Sequence, residues 1–513
     1  MKKALSTLVA LLMVTGIAAG CSSQGGSVPE TTDGAPNVEP GDASEKIKIE
    51  MMAASWAGGG WADNNHPTIQ YINEKFNVDL QMQWIPNANF YEKLNVIAAS
   101  GQFPDVIRID SPGVFMQWAE QGALLDLSSD LSDYPTLQGV ATPEEWQLLN
   151  PEGRIFGIPI YNTAQNTIYV REDWMKKLGI ELPGEDEFTI EKFYEIAKAF
   201  TEQDPDGNGQ RDTFGFSALG NSSNLGIPEL LAAFGIANGW KEQNGELIPM
   251  QAQAEEWKKF LSFMNTAYNE GVLDQDFITN TNFNEKYAQG KVGFADMHFQ
   301  FSQNTNKQLQ SFIPGAAFVE LSPPIGEDGS RGNNTPTSGM IKVVLTKNVD
   351  EKKRERILQL FDWWMSPEGE DIIKNGIEGA HYKKNADDSY EMTEALQAEG
   401  EGRQSLLWNW VLRSNSNRFN IYKWSDPEWA AKMEQSIVNA KKYPYKNAAD
   451  EFIVSSPAYT EKGSALNQKF QNTVIEIIAG KKPVDTIDDA IQEWKQGGGD
   501  QIIEEINAAY KAK

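Results

Sequence analysis

Nine consecutive residues carry the clearest chemistry in the chain. Asp204-Pro205-Asp206-Gly207-Asn208-Gly209-Gln210-Arg211-Asp212 sets side-chain oxygens at the first, third, fifth and ninth positions, a glycine at the sixth and the backbone carbonyl of Gln210 at the seventh. These are the first nine positions of an EF-hand loop, whose spacing curls the backbone around one hard cation. Calcium takes about six to eight oxygens at about 2.3–2.6 Å. Asp204, Asp206, Asn208, Gln210 and Asp212 are therefore the candidate ligands of a structural calcium ion that pins a loop after a helix. The twelfth position is Gly215 where an EF-hand has a bidentate glutamate, so another ligand must come from water or a different segment. The alternative is an Asx-rich turn that holds no ion. A zinc centre is not expected, because the three histidines, His66, His298 and His381, lie far apart and catalytic zinc favours clustered histidines.

A second chemical feature is Cys21, the only cysteine in 513 residues. With no partner it forms no internal disulfide. It follows Lys2, Lys3, an apolar run from Ala4 to Ile17 and the small residues Ala18-Ala19-Gly20. That is the layout of a secretory signal peptide, and the apolar run is shorter than the about 20 residues of a membrane span. The segment resembles a bacterial lipoprotein signal, which implies lipidation of Cys21 as the mature N-terminus. It departs from that pattern at Ala18, where a larger aliphatic is usual; an ordinary buried cysteine is the alternative. Residues 22–45 hold Ser, Gly, Pro, Asp and Glu with almost nothing bulky. Such a stretch cannot offset its ordering entropy by burial and reads as a tether.

Beyond the tether, the chain is long enough for at least two domains. Its net charge is −27, which removes the counterion-release drive for nucleic acid and leaves membrane attachment to the lipid. The 15 tryptophans, 15 tyrosines and 24 phenylalanines are mostly core material. Yet a flat indole also matches the apolar face of a pyranose, so a Trp-rich exported protein suggests a sugar ligand.

The elements that must position these residues alternate. Residues 47–54 and 78–85 read as strands, with Val78, Leu80, Met82 and Trp84 on one face; 67–76 and 90–99 read as helices; 105–109 is a third strand. This order predicts an α/β domain with a largely parallel sheet. Strands are expected over 155–161, 167–170, 291–296 and 341–345, and helices over 171–178, 254–269 and 350–365. Thr189 is the expected N-cap of a helix with the stripe Phe193, Ile196, Ala197, Phe200, without a full capping box because Lys192 stands at the third helical position. The tail from Trp429 onward is expected to be mainly helical, ending in 486–495 and 500–510 on either side of Gly497-Gly498-Gly499.

Several motifs follow one another in a set order along residues 47–513. They are Ser100-Gly101-Gln102-Phe103-Pro104-Asp105-Val106-Ile107, Gly122-Ala123-Leu124-Leu125-Asp126-Leu127, Gly157-Ile158-Pro159, Tyr169-Val170-Arg171-Glu172-Asp173-Trp174 and Lys177-Leu178-Gly179. Asp212-Thr213-Phe214-Gly215, Tyr287-Ala288-Gln289-Gly290-Lys291-Val292-Gly293-Phe294, Gly376-Ile377-Glu378-Gly379-Ala380-His381-Tyr382 and the tail from Trp494 to Asn507 complete the series. In this order they resemble the extracellular solute-binding proteins of bacterial ABC importers, family 1, in the long calcium-loop lipoprotein form of the Paenibacillus type, and the resemblance implies a two-lobed periplasmic-binding-protein-like α/β fold with a ligand cleft between lobes. One lobe would take 47–160 plus 336–382 and the other 161–335 plus 383–513. It also implies a monomeric, lipid-anchored, extracytoplasmic protein that closes on a sugar or oligosaccharide and delivers it, unaltered, to a membrane permease.

Ligands of open α/β sheets sit beyond the carboxyl ends of strands. That rule selects Trp56, Trp61, Asp110, Tyr161, Asn162, Asp296 and His298, against loop packing or turn-capping roles. Trp240, which ends a loop, and Trp408 and Trp410, which flank Asn409 and cannot share a helical face, are further candidates. His381 joins them from the family-like stretch. Trp174, Trp363 and Trp364 read as core. Two other functions compete: a cell-anchored glycoside hydrolase, which needs two carboxylates roughly 5–10 Å apart, and a calcium-dependent surface adhesin or lectin.

Overall fold

A computed structural model describes residues 46–55, 62–150, 153–160, 166–280, 284–337, 339–386, 390–395 and 427–513. Cys21, its leader and the tether lie outside these residues. Two sheets organise the described chain. The first has the order β2-β1-β3-β12-β4, made of β1 (Ile47–Ser55), β2 (Val78–Pro86), β3 (Val106–Ile109), β4 (Ile158–Pro159) and β12 (Lys342–Leu345). β1 runs parallel to β2 and β3, as the alternation of strand and helix predicts. β12 corrects the largely parallel expectation: it is antiparallel to both β3 and β4. Both its pairing partners, β3 and β4, lie far upstream, and no local pattern carries that information.

Both faces of this sheet are covered. Ile49, Met51, Ala53 and Val106 face one apolar cluster, with Ile357, Phe361 and Trp364 of the helix Glu351–Trp364. Met52, Ala54, Ile107 and Ile109 face another, with Phe90, Phe115 and Trp118. Covering both faces explains why β1, after the alternating start Ile47-Lys48-Ile49-Glu50, runs apolar from Met51 to Ala54. The family-like motifs here are architectural. Asp105 accepts from the Glu50 N–H at 2.9 Å and from Lys353 Nζ at 3.0 Å, and Leu125 N–H donates to Leu345 O at 2.9 Å. The strand expected over 155–161 is reduced to Ile158–Pro159. Gly157 packs so closely that an added Cβ would meet Lys342 Cβ at 2.9 Å.

The second sheet has the order β10-β5-β9-β6, from β5 (Asn166–Arg171), β6 (Phe214–Phe216), β9 (Val292–His298) and β10 (Phe318–Leu321). Ile168, Val170, Phe216 and Phe294 face the largest core, which also takes Phe193 and Phe200 from the helix Ile190–Glu202 and Trp257 from Ala254–Asn269. Tyr169, Ala295, Met297 and Phe318 face a smaller one. Arg171 is fully buried: it pairs with Asp173 at 2.6 Å, donates to Gly290 O at 3.2 Å and lies over the Trp174 ring at 4.3 Å. Thr189 caps its helix as expected, accepting from the Lys192 N–H at 3.2 Å. The hairpin of β7 (Trp240–Gln243) and β8 (Glu246–Pro249) packs on the tail helix Asp500–Ala512. The other tail helices, Ser464–Ile478 and Thr486–Trp494, enter the main core through Phe470, Val474, Ile491 and Trp494. Gly498, at φ 136° and ψ −3°, is a non-helical kink that separates the last two helices, as the Gly497-Gly498-Gly499 run predicts. Among the described residues no helix is long and apolar enough to cross a membrane.

Candidate functional site

The first sheet presents one edge where its strands deliver their carboxyl ends. β3 ends at Ile109, opposite Lys342 at the start of antiparallel β12, and Lys342 also faces Pro159 at the end of β4. Asp110, Ile160 and Lys342 are thus set at a common edge. The chain leaves that edge after Ile160 to begin β5 of the second sheet at Asn166. It returns from β10 through β11 (Asn333–Asn334), which pairs with β15 (Pro444–Tyr445), to β12. In the second sheet Asn166 lies opposite His298, so the matching edge holds Asn166, Asp296 and His298.

Asp110 is ion-paired: Arg108 Nε donates to its Oδ1 at 2.7 Å, with the guanidinium only 7% exposed. Tyr91, from the helix Asn87–Ser100, is 46% exposed beside this pair. Burial, then the Asp110 charge, pushes its hydroxyl above the usual tyrosine range. An exposed aromatic ring next to a buffered carboxylate suits a sugar contact. The sequence reading missed Tyr91 and Arg108, although a cation inside the run Val106-Ile107-Arg108-Ile109 was a visible signal. Lys342 is fully buried, its Nζ donates to Glu145 O at 3.2 Å, and burial pushes its ammonium down to about 7.

The structure brings Asp296 and His298 together along β9 and sets Asp110 on the other sheet. Asp296 is buried rather than open: its Oδ1 accepts from Asn166 Nδ2 at 2.7 Å, and it faces Glu229. Trp240 is 4% exposed, packed with Leu247, Ala449, Phe452 and Ile502, and presents no free ring face. His381 is also buried, its Nδ1 accepting from the Ile377 N–H at 2.8 Å. Trp56, Trp61, Tyr161, Asn162, Trp408 and Trp410 lie outside the described residues.

The acidic loop follows the helix Ile190–Glu202. Asp204 folds the loop back on itself, accepting from the Gly207, Asn208 and Gly209 N–H groups at 3.0, 3.1 and 3.0 Å. Asn208 Nδ2 donates to Asp206 at 2.8 Å and to Asp212 at 3.0 Å. Lys291 pairs with Asp212 and reaches Asp206 at 4.0 Å. Burial and then Asp204 push the Asp206 carboxyl up, while the Lys291 ammonium holds that of Asp212 down. Among the described residues, no group of three or more His, Cys, Asp or Glu is drawn together so that it could hold an ion. Two of the donors, Asp212 and Asp206, nevertheless offer hard oxygens to a positive charge, the Lys291 ammonium, and such oxygens are the donor type calcium takes. Gly215 explains the missing twelfth ligand. Its added Cβ would meet Ala197 O at 2.6 Å, so no glutamate fits there.

Comparison with known proteins extends this geometry. Residues 61–371 match the family of bacterial extracellular solute-binding proteins. The chain is 27% identical to Lipoprotein LipO of Bacillus subtilis over 100% of its own length and 98% of the relative. It is 25% identical to the polygalacturonan/rhamnogalacturonan-binding protein YtcQ of the same organism, covering 98% of each chain. The solved structure of an EF-hand mutant of the Streptococcus pneumoniae ABC-transporter substrate-binding protein FusA, in complex with fructo-nystose, superposes with a TM-score of 0.67 at 19% identity. That match covers 91% of this chain and 99% of the other.

Proposed function

Because the chain belongs to the bacterial extracellular solute-binding proteins, we propose that it closes two lobes around a sugar or oligosaccharide and hands it, chemically unchanged, to an ABC importer permease. The carrying observation is the full-length match to a relative named as a lipoprotein and to one named for polygalacturonan and rhamnogalacturonan, joined to two separately packed sheets whose edges receive the same chain passages. One lobe takes 47–160 and 336–382, the other 161–335 and 383–513. Tyr91, Arg108 and Asp110 at the first edge and His298 at the second contact the sugar; Trp56, Trp61, Tyr161, Asn162, Trp408 and Trp410, outside the described residues, are the further contacts the sequence selects. Lipid on Cys21 holds the monomer at the outer face of the cell membrane. Calcium at Asp204, Asp206, Asn208, Gln210 and Asp212 braces the loop and takes no part in binding sugar.

Titration calorimetry against galacturonan, rhamnogalacturonan and fructan oligosaccharides, with product analysis, tests this. Saturable binding with every glycan recovered intact is expected. Cleaved glycan would replace the proposal with the hydrolase reading, and binding to polymers alone, lost on chelation, with the adhesin.

A further inference from the structure

Glu229 and Asp296 are 0% and 6% exposed, and each has one oxygen satisfied and one not. Glu229 Oε1 accepts from the Asn334 N–H at 3.2 Å, and Asp296 Oδ1 accepts from Asn166 Nδ2 at 2.7 Å. Glu229 Oε2 and Asp296 Oδ2 meet no donor, although the two side chains lie within hydrogen-bonding reach of one another. Two ionised carboxylates can only accept, so their contact would bury two like charges and two unsatisfied oxygens. One proton between them makes one side chain a donor and satisfies both.

The two outer partners are not arbitrary. Asn166 is the first residue of β5, where the chain arrives from the first sheet. Asn334 ends β11, from which it returns to β12. Asn238 Nδ2 fastens the same point by donating to Asn334 Oδ1 at 3.0 Å and to Tyr445 O at 2.8 Å. We propose that Glu229 and Asp296 share a single proton between their carboxyl groups, and that this proton keeps the roots of both inter-sheet passages docked on the second sheet. Its influence on lobe closure rests on the reading given under the proposed function; the proton itself does not.

The surroundings favour a proton over a bound cation's charge. Facing the pair are Tyr287, whose hydroxyl accepts from the Asp296 N–H at 3.2 Å, and Tyr445, whose hydroxyl donates to Ile236 O at 2.6 Å. His298 stands two residues along the same face of β9. Asp274 acts on Tyr287 from beyond it and is ion-paired with Lys286 at 2.5 Å. Ile168, Phe193, Phe216, Ile227 and Phe294 line the cavity next to Asp296. Burial raises both carboxyls, and the charge of Glu229 raises Asp296 further. A carboxyl raised on folding contributes stability that is complete below the ordinary carboxylate value and lost as pH rises through the raised one. Lys342, pushed down to about 7, works in the opposite direction above that pH, so the informative quantity is the difference between proteins.

The test compares the full chain with its Glu229→Gln and Asp296→Asn variants, without ligand. The new amide N–H replaces the proton permanently. Infrared spectra at pH 7 should show a protonated-carboxyl band in the parent that both variants lose. Relative to Glu229→Gln, the parent's unfolding equilibrium constant should rise with pH by up to about tenfold per unit. Hydrogen exchange at Asn334 should accelerate with pH more steeply in the parent than in the variant. A His298→Asn control should keep the parent's band and slope. A parent spectrum without the band, or equal pH slopes in parent and variant, overturns the proposal. So does a melting temperature that depends on sodium against choline, which would place a metal ion between the carboxylates. Should neither variant fold, the parent's infrared band decides.

Discussion

At the scale of single residues, charge decides what the acidic loop can hold. Asn208 bridges Asp206 and Asp212, the Lys291 ammonium pairs with Asp212 and reaches Asp206, and Asp204 is held by backbone N–H groups of the same loop. A divalent ion would exchange that single flexible charge for two fixed ones and take the carboxylate oxygens as ligands. At about a hundred times its dissociation constant, calcium should add about 2.7 kcal/mol to stability, read as a rise in melting temperature that a chelator reverses. Asp206→Ala should abolish the rise, and Lys291→Met should tighten calcium binding by removing the competing charge. A melting temperature indifferent to calcium in all three proteins would leave the loop as an Asx-rich turn. The ligand spacing was legible from sequence because every candidate is local. The Lys291 contact was not, since it crosses 79 residues. Glu229 was equally hidden: in Pro-Glu-Leu-Leu-Ala-Ala nothing announces a partner on a distant strand.

At the scale of elements, local signals were reliable and pairings were not. The helices Pro67–Phe76 and Ala254–Asn269 coincide with their apolar periodicity and flanking signals, because caps and stripes are written within a few residues. The antiparallel insertion of β12 and the shortening of 155–161 to Ile158–Pro159 depend on contacts far along the chain. Trp240 was read as a loop tryptophan; it is packed against the tail helix Asp500–Ala512, some 260 residues away. Gly215 shows the same dependence. It looked like a lost calcium ligand, yet its α-hydrogen side lies against the helix Ile190–Glu202. Gly215→Ala should cost about 1–3 kcal/mol by overpacking, measured by denaturant unfolding, and calcium should not restore it. A neutral Gly215→Ala would mean that the helix can move aside, and that the twelfth position is free to be engineered.

At the scale of the whole molecule, two sheets with separate cores exchange the chain through the segments after Ile160 and before Lys342. A ligand touching both edges would favour a closed arrangement by the contacts that only closure makes. The family and fold were readable from ordered motifs, and two residues of those motifs, Asp105 and Arg171, hold the scaffold. The most direct measurement is small-angle scattering of the mature chain, titrated with whichever oligosaccharide binds in calorimetry. A radius of gyration that falls and levels off at one equivalent, with the sugar recovered whole, is the predicted result; an unchanged radius at saturation would contradict closure.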